Sequence, residues 1–321
     1  MKIAIMGAGS VGGYYGGILK KVGLDVTLIC RGTHREAITS RGLILKSHWG
    51  DFNIMIPSEE DPKNIGKVDL IIFTPKLYSN YIVIPQMEPL VHSKTIIITI
   101  QNGVSSHKQL SDYFGIDKVI PAATYIESEI LEPGVIQQKG PTAVIEIGEV
   151  NKEHSDRLNK IQSLLTSKYL KIIISEDIIL SLWNKMISIG SVGTIMTSFR
   201  SSFIEVMKLQ NGEEILRGTM REIFNVGRSI GVNLDENIIE EKINEKHEDQ
   251  KIFNDETTRA DFVVENIENR NEGFTHEVVF VFNAENNQSM MFGWYVNIEN
   301  GEVSAIDIAS KNIQQTVDYF D

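Results

Sequence analysis

A glycine-rich turn near the start of the chain constrains its fold more than any other feature. Residues 2–6 form a short apolar run typical of a buried parallel strand, and the turn 7–12 (Gly-Ala-Gly-Ser-Val-Gly) follows it directly. A helix is predicted from about Val11 to Val22, and an apolar strand over residues 26–30 comes next. A G-x-G-x-x-G sequence between a strand and a helix predicts a dinucleotide-binding βαβ unit.

Each glycine of this motif has its own predicted role. Gly7 permits the tight turn, Gly9 lets the backbone approach a pyrophosphate, and Gly12 lets helix and strand pack closely. The helix N-terminus adds free N–H groups and a positive dipole end. The strand–turn–helix context disfavours the alternative of a glycine-rich turn without a ligand. The predicted cofactor-binding residues of the turn are Gly7, Ala8, Gly9, Ser10, Val11 and Gly12.

The residues after the second strand indicate which dinucleotide binds. An NAD site usually carries Asp or Glu there, about 20 residues beyond the glycines, to bind the ribose hydroxyls. This chain has Arg31 instead and no carboxylate over residues 30–35. A guanidinium can pair with a 2′-phosphate, so the pattern predicts NADPH/NADP as the cofactor. The alternative for Arg31 is a solvated surface arginine, which is the favoured interpretation of Arg35.

Composition excludes several classes of function. The 321-residue chain has a net charge of −12, whereas a nucleic-acid partner requires a basic face. The single cysteine, Cys30, excludes a disulfide framework or Cys-rich zinc site, and it suits a reducing compartment. We expect no stretch long enough to cross a bilayer. The chain is therefore expected to be cytoplasmic, without a metal, a nucleic-acid partner or a membrane partner.

The pattern of apolar segments predicts three regions. Residues 1–150 alternate strands with helices, which predicts a doubly wound α/β sheet. Residues 151–271 have helical periodicity and are predicted to form a mainly α-helical domain. Residues 272–321 form a divergent C-terminal segment with a predicted hairpin turn at Asn300-Gly301. Outside the first βαβ unit, strands are predicted at 70–74, 95–100, 119–120, 144–147, 276–282, 290–298 and 302–308, and helices at 156–165, 177–189, 213–231, within 237–269 and at 309–320.

Several separated motifs, in order, resemble the ketopantoate reductase (2-dehydropantoate 2-reductase) family from residue 1 to about residue 232. They are the glycine motif with Arg31, Val68–Lys76, Ile100–Val104 with its Gln-Asn-Gly signature, Pro133–Ile136, Ile147–Glu149, Trp183-Asn184-Lys185, and 217–232. The resemblance implies a Rossmann-type NADP-binding domain followed by a helical domain that binds the substrate and carries the catalytic residue. It also implies reduction of ketopantoate to pantoate, a step of pantothenate biosynthesis.

The resemblance also implies roles for individual residues. Lys76 is placed near the 2′-phosphate and ribose, Asn102 contacts cofactor and substrate, and Glu127 touches the cofactor. Lys185 is the implied catalytic and substrate-binding lysine. Its ammonium suits the chemistry, because it can stabilise a developing alkoxide, donate a proton to it and attract a substrate carboxylate. From the residues alone, Lys185 could instead snorkel to solvent along an apolar helix, and Asn102 could belong to an ordinary Asn-Gly turn.

The chain departs from the family pattern after Lys185. Family asparagines that bind substrate four and eight residues beyond the lysine are replaced by Ile189 and Gly193. Thr257-Thr258 and Asp261 partly match the family's Ser-rich turn and Asp, so Thr258 is a predicted substrate-binding residue. The family's later glutamate has no clean equivalent, and the strand-like tail replaces expected helices. The candidates for this glutamate are Glu268, Glu272 and Glu277.

Together these observations predict an NADPH-dependent reductase of a small anionic 2-oxo acid, with ketopantoate as the first candidate substrate and a homodimer as the expected assembly. Two alternatives stay open. One is a sister reductase acting on a different 2-oxo acid. The other is a non-catalytic NADP-binding or sensor protein, favoured by the missing glutamate and the divergent tail.

Overall fold

The computed structural model describes residues 1–253, 275–284, 288–297 and 303–305, and it groups the chain into two compact units, Met1–Leu182 and Trp183–Asp321. The strands are β1 (Lys2–Met6), β2 (Asp25–Ile29), β3 (Leu43–Lys46), β4 (Phe52–Ile54), β5 (Ser58–Glu59), β6 (Leu70–Phe73), β7 (Ile96–Thr99), β8 (Val119–Glu132), β9 (Val135–Ile147), β10 (Lys171–Ile174), β11 (Thr275–Ala284), β12 (Gln288–Asn297) and β13 (Val303–Ala305). The α-helices are α1 (Ser10–Lys21), α2 (Gly32–Arg41), α3 (Asn80–Gln86), α4 (Ser106–Phe114), α5 (Asp156–Leu165), α6 (Ile178–Phe199), α7 (Phe203–Met207), α8 (Gly212–Ser229) and α9 (Ile238–Phe253).

The first unit is built on a mixed sheet in the order β4-β3-β9-β8-β7-β6-β1-β2-β5, with β10 paired to β9. Strand β1 runs parallel to both β2 and β6, and parallel pairing continues through β7 into the start of β8. The carboxyl ends of β2, β1, β6 and β7 therefore lie side by side, at the point where the strand order reverses. This Rossmann-like arrangement confirms the predicted α/β fold.

Burial explains why short apolar runs predicted these parallel strands. All four residues of β6 are buried, as are all but the first residue of β1 and of β7. Parallel strands covered on both faces require such continuous apolar sequence. Helix α1 buries eight consecutive residues, including Tyr14, Tyr15 and Ile18, against the sheet. The predicted βαβ unit is confirmed.

The largest difference from the prediction is the antiparallel hairpin of β8 and β9. The sequence predicted only the ends of these strands, at 119–120 and 144–147, whereas they span Val119–Glu132 and Val135–Ile147. Only the first six residues of β8 are buried, so the apolar run stops while the strand continues through pairing with β9. Strand β10 also extends the sheet into the region predicted to be helical. The division of the units at Leu182 and Trp183 lies beyond the boundary predicted near 148–151.

The described part of the second unit contains helices and a small antiparallel sheet. Helix α8 buries Leu216, Met220 and Phe224, one residue per turn, which is the spacing of an amphipathic helix. Strands β11, β12 and β13 pair in that order, which confirms the strands predicted near the C-terminus. The predicted Asn300-Gly301 turn and the predicted helix at 309–320 lie outside the described residues.

Helix α6 corrects the expectation about membrane-length segments. Among the described residues, its 22 residues are long and apolar enough to cross a membrane by length and composition alone. A buried core helix meets the same criterion, so the observation is weak evidence for a membrane span. The helix buries Leu182, Ile187 and Ile195 within the protein and carries Lys185 at a half-buried position.

Candidate functional site

The glycine turn between β1 and α1 fits a dinucleotide, as judged by the space around its three glycines. Gly7 has φ +92°, and a Cβ there would lie 3.0 Å from the backbone nitrogen of Pro75. A Cβ on Gly12 would lie 2.5 Å from Thr74 Oγ1 and 2.6 Å from the Gly7 carbonyl oxygen. A Cβ on Gly9 would meet nothing within 4 Å. Gly7 and Gly12 are therefore required by the fold, whereas Gly9 keeps a space open.

The amide groups beside that space suit an anion. Ala8 is buried and donates its N–H to the Ile29 carbonyl at 2.9 Å, which fixes the turn against the end of β2. The hydrogen-bond ladder of α1 starts with Gly13 N–H donating to the Gly9 carbonyl at 2.8 Å. The N–H groups of Ser10, Val11 and Gly12 precede this ladder, at the positive end of the helix dipole. This arrangement is typical of helix N-termini that bind phosphate groups.

Two cations flank the glycine turn because their strands flank β1. Arg31 follows β2, is exposed, and is the residue before the first turn of α2. Lys76 follows β6 and is also exposed at the surface, while partial desolvation by the neighbouring protein lowers its pKa below the ordinary lysine value. Burial raises the pKa of Tyr78, and the positive charge of Arg31 opposes this rise. The Arg31 charge is therefore felt at Tyr78, two residues beyond Lys76. Arg35, in contrast, forms an ion pair with Glu59 at 3.6 Å.

Asn102 lies after β7, at the same edge of the sheet. It is exposed, lies in a bend, and is followed by Gly103 with φ +103°. Its neighbour Gln101 is instead buried, with 7% of its surface exposed, and it hydrogen-bonds to the Pro75 carbonyl before Lys76. The structure therefore brings the glycine turn, Arg31, Lys76 and Asn102 to one edge of one sheet.

Lys185 is a half-buried lysine in the second unit. It follows Trp183, which is buried and packs against Gly227. It also follows Asn184, whose buried Oδ1 has no hydrogen-bond partner among the described residues. Burial lowers the pKa of Lys185 to about 8. Desolvation disfavours the charged ammonium and explains this direction. Such an ammonium can release its proton near neutral pH more readily than an exposed lysine can.

For the remaining predicted residues, the described part of the structure offers no observation that supports a role in the site. The Glu127 side chain is exposed and pairs with Lys139 at 3.7 Å, next to an irregularity in the β8–β9 register. Its contact with the cofactor stays a prediction. Thr258, with Asp261, lies outside the described residues. The candidate glutamates 268 and 272 also lie outside them, while Glu277 belongs to β11.

The sequence interpretation did not identify the residues that pack against the glycine turn and against Gln101. Thr74 and Pro75 pack against Gly12 and Gly7, and Asn80 hydrogen-bonds to the buried Gln101. Thr74 and Pro75 lie within the motif Val68–Lys76, but no role is predicted for them from the sequence. No sequence signal connects Asn80 to Gln101, since this contact arises from the pairing of β6 with β7.

Comparisons with known proteins agree with the geometry. The family model described as "Ketopantoate reductase PanE/ApbA" matches residues 3–152, and the model of that family's C-terminal region matches residues 177–269. An uncharacterized oxidoreductase, YkpB of Bacillus subtilis, is 30% identical over 241 residues, which cover 75% of this chain and 79% of that protein. The 2-dehydropantoate 2-reductase of Pyrococcus horikoshii is 33% identical over 200 residues. The match covers 61% of this chain and 64% of that enzyme, which is less than two thirds of its length.

A solved structure extends this agreement to the fold. The PanE/ApbA family ketopantoate reductase from Ralstonia eutropha is 26% identical, with a TM-score of 0.71. The superposition covers 78% of this chain and 81% of that one. The chain therefore belongs to the ketopantoate reductase family, whose members are oxidoreductases that use a nicotinamide cofactor.

Proposed function

We propose that this protein reduces a small 2-oxo acid to the 2-hydroxy acid with NADPH, and that ketopantoate, which gives pantoate, is the first substrate to test. The observation that carries the proposal is Lys185. This lysine lies on an apolar helix, and burial lowers its pKa to about 8. A proton donor works best when its pKa lies near the working pH.

The proposed mechanism assigns one task to each group of residues. The amides of the glycine turn hold the pyrophosphate, and Arg31 with Lys76 holds the 2′-phosphate. The bound dinucleotide supplies the hydride. Asn102 orients the reacting groups, and the Lys185 ammonium stabilises the alkoxide oxygen and donates a proton to it. In a chain of net charge −12, Lys185 also supplies the local cation that a substrate carboxylate requires.

Turnover by the purified protein tests the proposal. NADPH consumption should depend on an added 2-oxo acid, in a panel containing ketopantoate, 2-oxoisovalerate, 4-methyl-2-oxopentanoate and phenylpyruvate. NADPH binding without turnover of any panel member would instead favour the non-catalytic sensor.

Cofactor selection gives a separate prediction for Arg31. Replacing it with alanine should raise the KM for NADPH about tenfold or more and leave that for NADH nearly unchanged, because a charge-assisted phosphate contact contributes about 1.5–3 kcal/mol. Arg35→Ala is the matched control, since Arg35 forms an ion pair with Glu59. Steady-state kinetics with both cofactors make the comparison. Equal losses with NADPH and NADH would show that Arg31 does not select the cofactor.

A sister reductase for alkyl 2-oxo acids is the second candidate function, and residues 189 and 193 favour it. They follow Lys185 by one and two helical turns on the same side of α6. Ile189 is 37% exposed, and a Cβ on Gly193 would meet nothing within 4 Å. The Ile189 side chain has no hydrogen-bonding group and Gly193 has no side chain, so neither position can bind the hydroxyl of ketopantoate through a side chain.

Replacing Ile189 with asparagine should therefore shift substrate preference. We expect kcat/KM for ketopantoate, relative to 4-methyl-2-oxopentanoate, to rise about tenfold, which is the value of one hydrogen bond to a substrate hydroxyl. Ile189→Leu keeps the apolar character and should leave the ratio within about twofold, as expected for a volume-conserving exchange. An unchanged ratio in both variants would remove Ile189 from substrate selection.

A further inference from the structure

A buried pair of amide side chains joins the two loops that carry Lys76 and Asn102. Gln101 Nε2 donates to Asn80 Oδ1 at 2.8 Å, and Asn80 Nδ2 donates back to Gln101 Oε1 at 3.2 Å. Both residues are buried, with 3% of Asn80 and 7% of Gln101 exposed. Such a reciprocal pair fixes the relative orientation of both side chains, because each amide supplies one donor and one acceptor.

The rest of the cluster uses the remaining hydrogen-bonding capacity of Gln101. Its Nε2 also donates to the Pro75 carbonyl, and its Oε1 also accepts from Ser106 Oγ. Both N–H donors and both acceptor positions of the Gln101 amide are thereby occupied. Asn80 Nδ2 makes a second bond to Gln109 Oε1 at 2.7 Å. A fully satisfied buried network of this kind is rigid and specifies one geometry.

Asn80 has no comparable role in its own helix. It is the first residue of α3, yet no side chain caps that helix end. Asparagine near a helix start usually bonds to the helix backbone. Here its amide is directed at Gln101 instead.

Both joined loops are also anchored to neighbouring strands. The loop after β6 is fixed independently, because Thr74 Oγ1 donates to the Met6 carbonyl at 3.0 Å and Pro75 lies against Gly7. The segment after β7 continues from the Ile100 N–H bond to the Phe73 carbonyl at 3.2 Å, and the Gln101 side chain joins it to the Pro75 carbonyl of the loop after β6. The amide pair therefore links the segment that carries Asn102 to the loop after β6.

We propose that Asn80 is a positioning residue, which acts through Gln101 to set the place of Asn102 at the nicotinamide end of the cofactor. This inference rests on the proposed function for the catalytic effect, but the binding effect is independent of turnover. A misplacement of about 1 Å can cost roughly 10²-fold in rate, so a lost support should be measurable.

The test compares two ligands on Asn80→Ala by calorimetry. NADPH spans both ends of the site, whereas 2′-phospho-ADP-ribose lacks the nicotinamide. We expect the Kd for NADPH to rise about tenfold, the value of one lost hydrogen-bonded contact, and the Kd for the fragment to change less than about twofold. Ser106→Ala removes one donor to Gln101 and should shift the same ratio in the same direction by a smaller factor. Asn64→Ala, at an exposed asparagine bonded to Glu59 at 3.3 Å, is the matched control.

Two outcomes would overturn the proposal. Equal weakening of both ligands would show a general loss of structure, and unchanged affinity in both variants would show that the pair has no influence on the nicotinamide end. In an active enzyme, kcat of Asn80→Ala should also fall about tenfold or more. If the wild-type protein reduces no 2-oxo acid, the proposed function fails, while the ratio of the two Kd values still decides the role of Asn80.

Discussion

Replacing Lys185 with alanine should lower kcat for 2-oxo acid reduction by about 10²–10⁴-fold, the range of a general-acid contribution. The loss should appear in kcat because the proton donor interacts most strongly with the alkoxide of the transition state. NADPH affinity should stay within about threefold of the wild-type value, since the glycine turn and Arg31 supply the phosphate contacts. Turnover assays and cofactor titrations on the same preparation provide the measurement.

The pH dependence of the wild-type enzyme gives the same residue a second readout. The acid must be protonated to act, so kcat/KM should fall about tenfold per pH unit above the Lys185 pKa of about 8 and stay level below it. Lys185→Arg should remove this alkaline limb, because a guanidinium does not titrate in that range.

The competing snorkelling interpretation predicts a different pattern for Lys185→Ala. Kinetic effects would be under about tenfold, and lost packing of the stem would lower the melting temperature slightly. Lys208→Ala, at an exposed lysine of the same unit, controls for the loss of one positive charge. Near-normal turnover in Lys185→Ala would exclude the lysine from the mechanism.

Local sequence predicted the parts of the fold that local burial determines. The strand at residues 2–6, the glycine turn and the following helix are contiguous; four consecutive strand residues are buried, and the helix buries residues 12–19. Strand β8 was mostly missed because its second half, from Tyr125 to Glu132, is mainly exposed. That half is held by main-chain pairing with β9, which apolar periodicity does not reveal.

The sequence predicted the residues of the candidate site that are placed by the order of the strands. It did not predict the contacts that depend on side-chain packing. Arg31 and Lys76 were found separately, and the order β2-β1-β6 places them on either side of Gly7. The pairing of Asn80 with Gln101 requires the depth and orientation of two amides, which no spacing in the sequence encodes. The lowered pKa of Lys185 likewise depends on how deeply the side chain is buried, which the sequence alone does not state.

Adding one methyl group at Gly9 should separate cofactor binding from folding. Gly9 has φ −74°, which any residue can adopt, and its Cβ would meet nothing within 4 Å. Gly9→Ala should therefore keep the melting temperature within about 2 °C, allowing for the slightly poorer helix cap. The methyl group would occupy the space that the pyrophosphate approaches, where overpacking costs about 1–3 kcal/mol. We expect the Kd for NADPH to rise about tenfold to a hundredfold.

Gly12→Val is the matched contrast within the same motif. Its Cβ would lie 2.5 Å from Thr74 Oγ1 and 2.6 Å from the Gly7 carbonyl oxygen, and the second atom belongs to the backbone. Strand and helix would have to separate, so this variant should lose about 1–3 kcal/mol of stability as well as cofactor affinity. Thermal unfolding and NADPH titration of both variants complete the test. Unchanged NADPH affinity in a stable Gly9→Ala protein would show that the open space at Gly9 is not where the pyrophosphate binds.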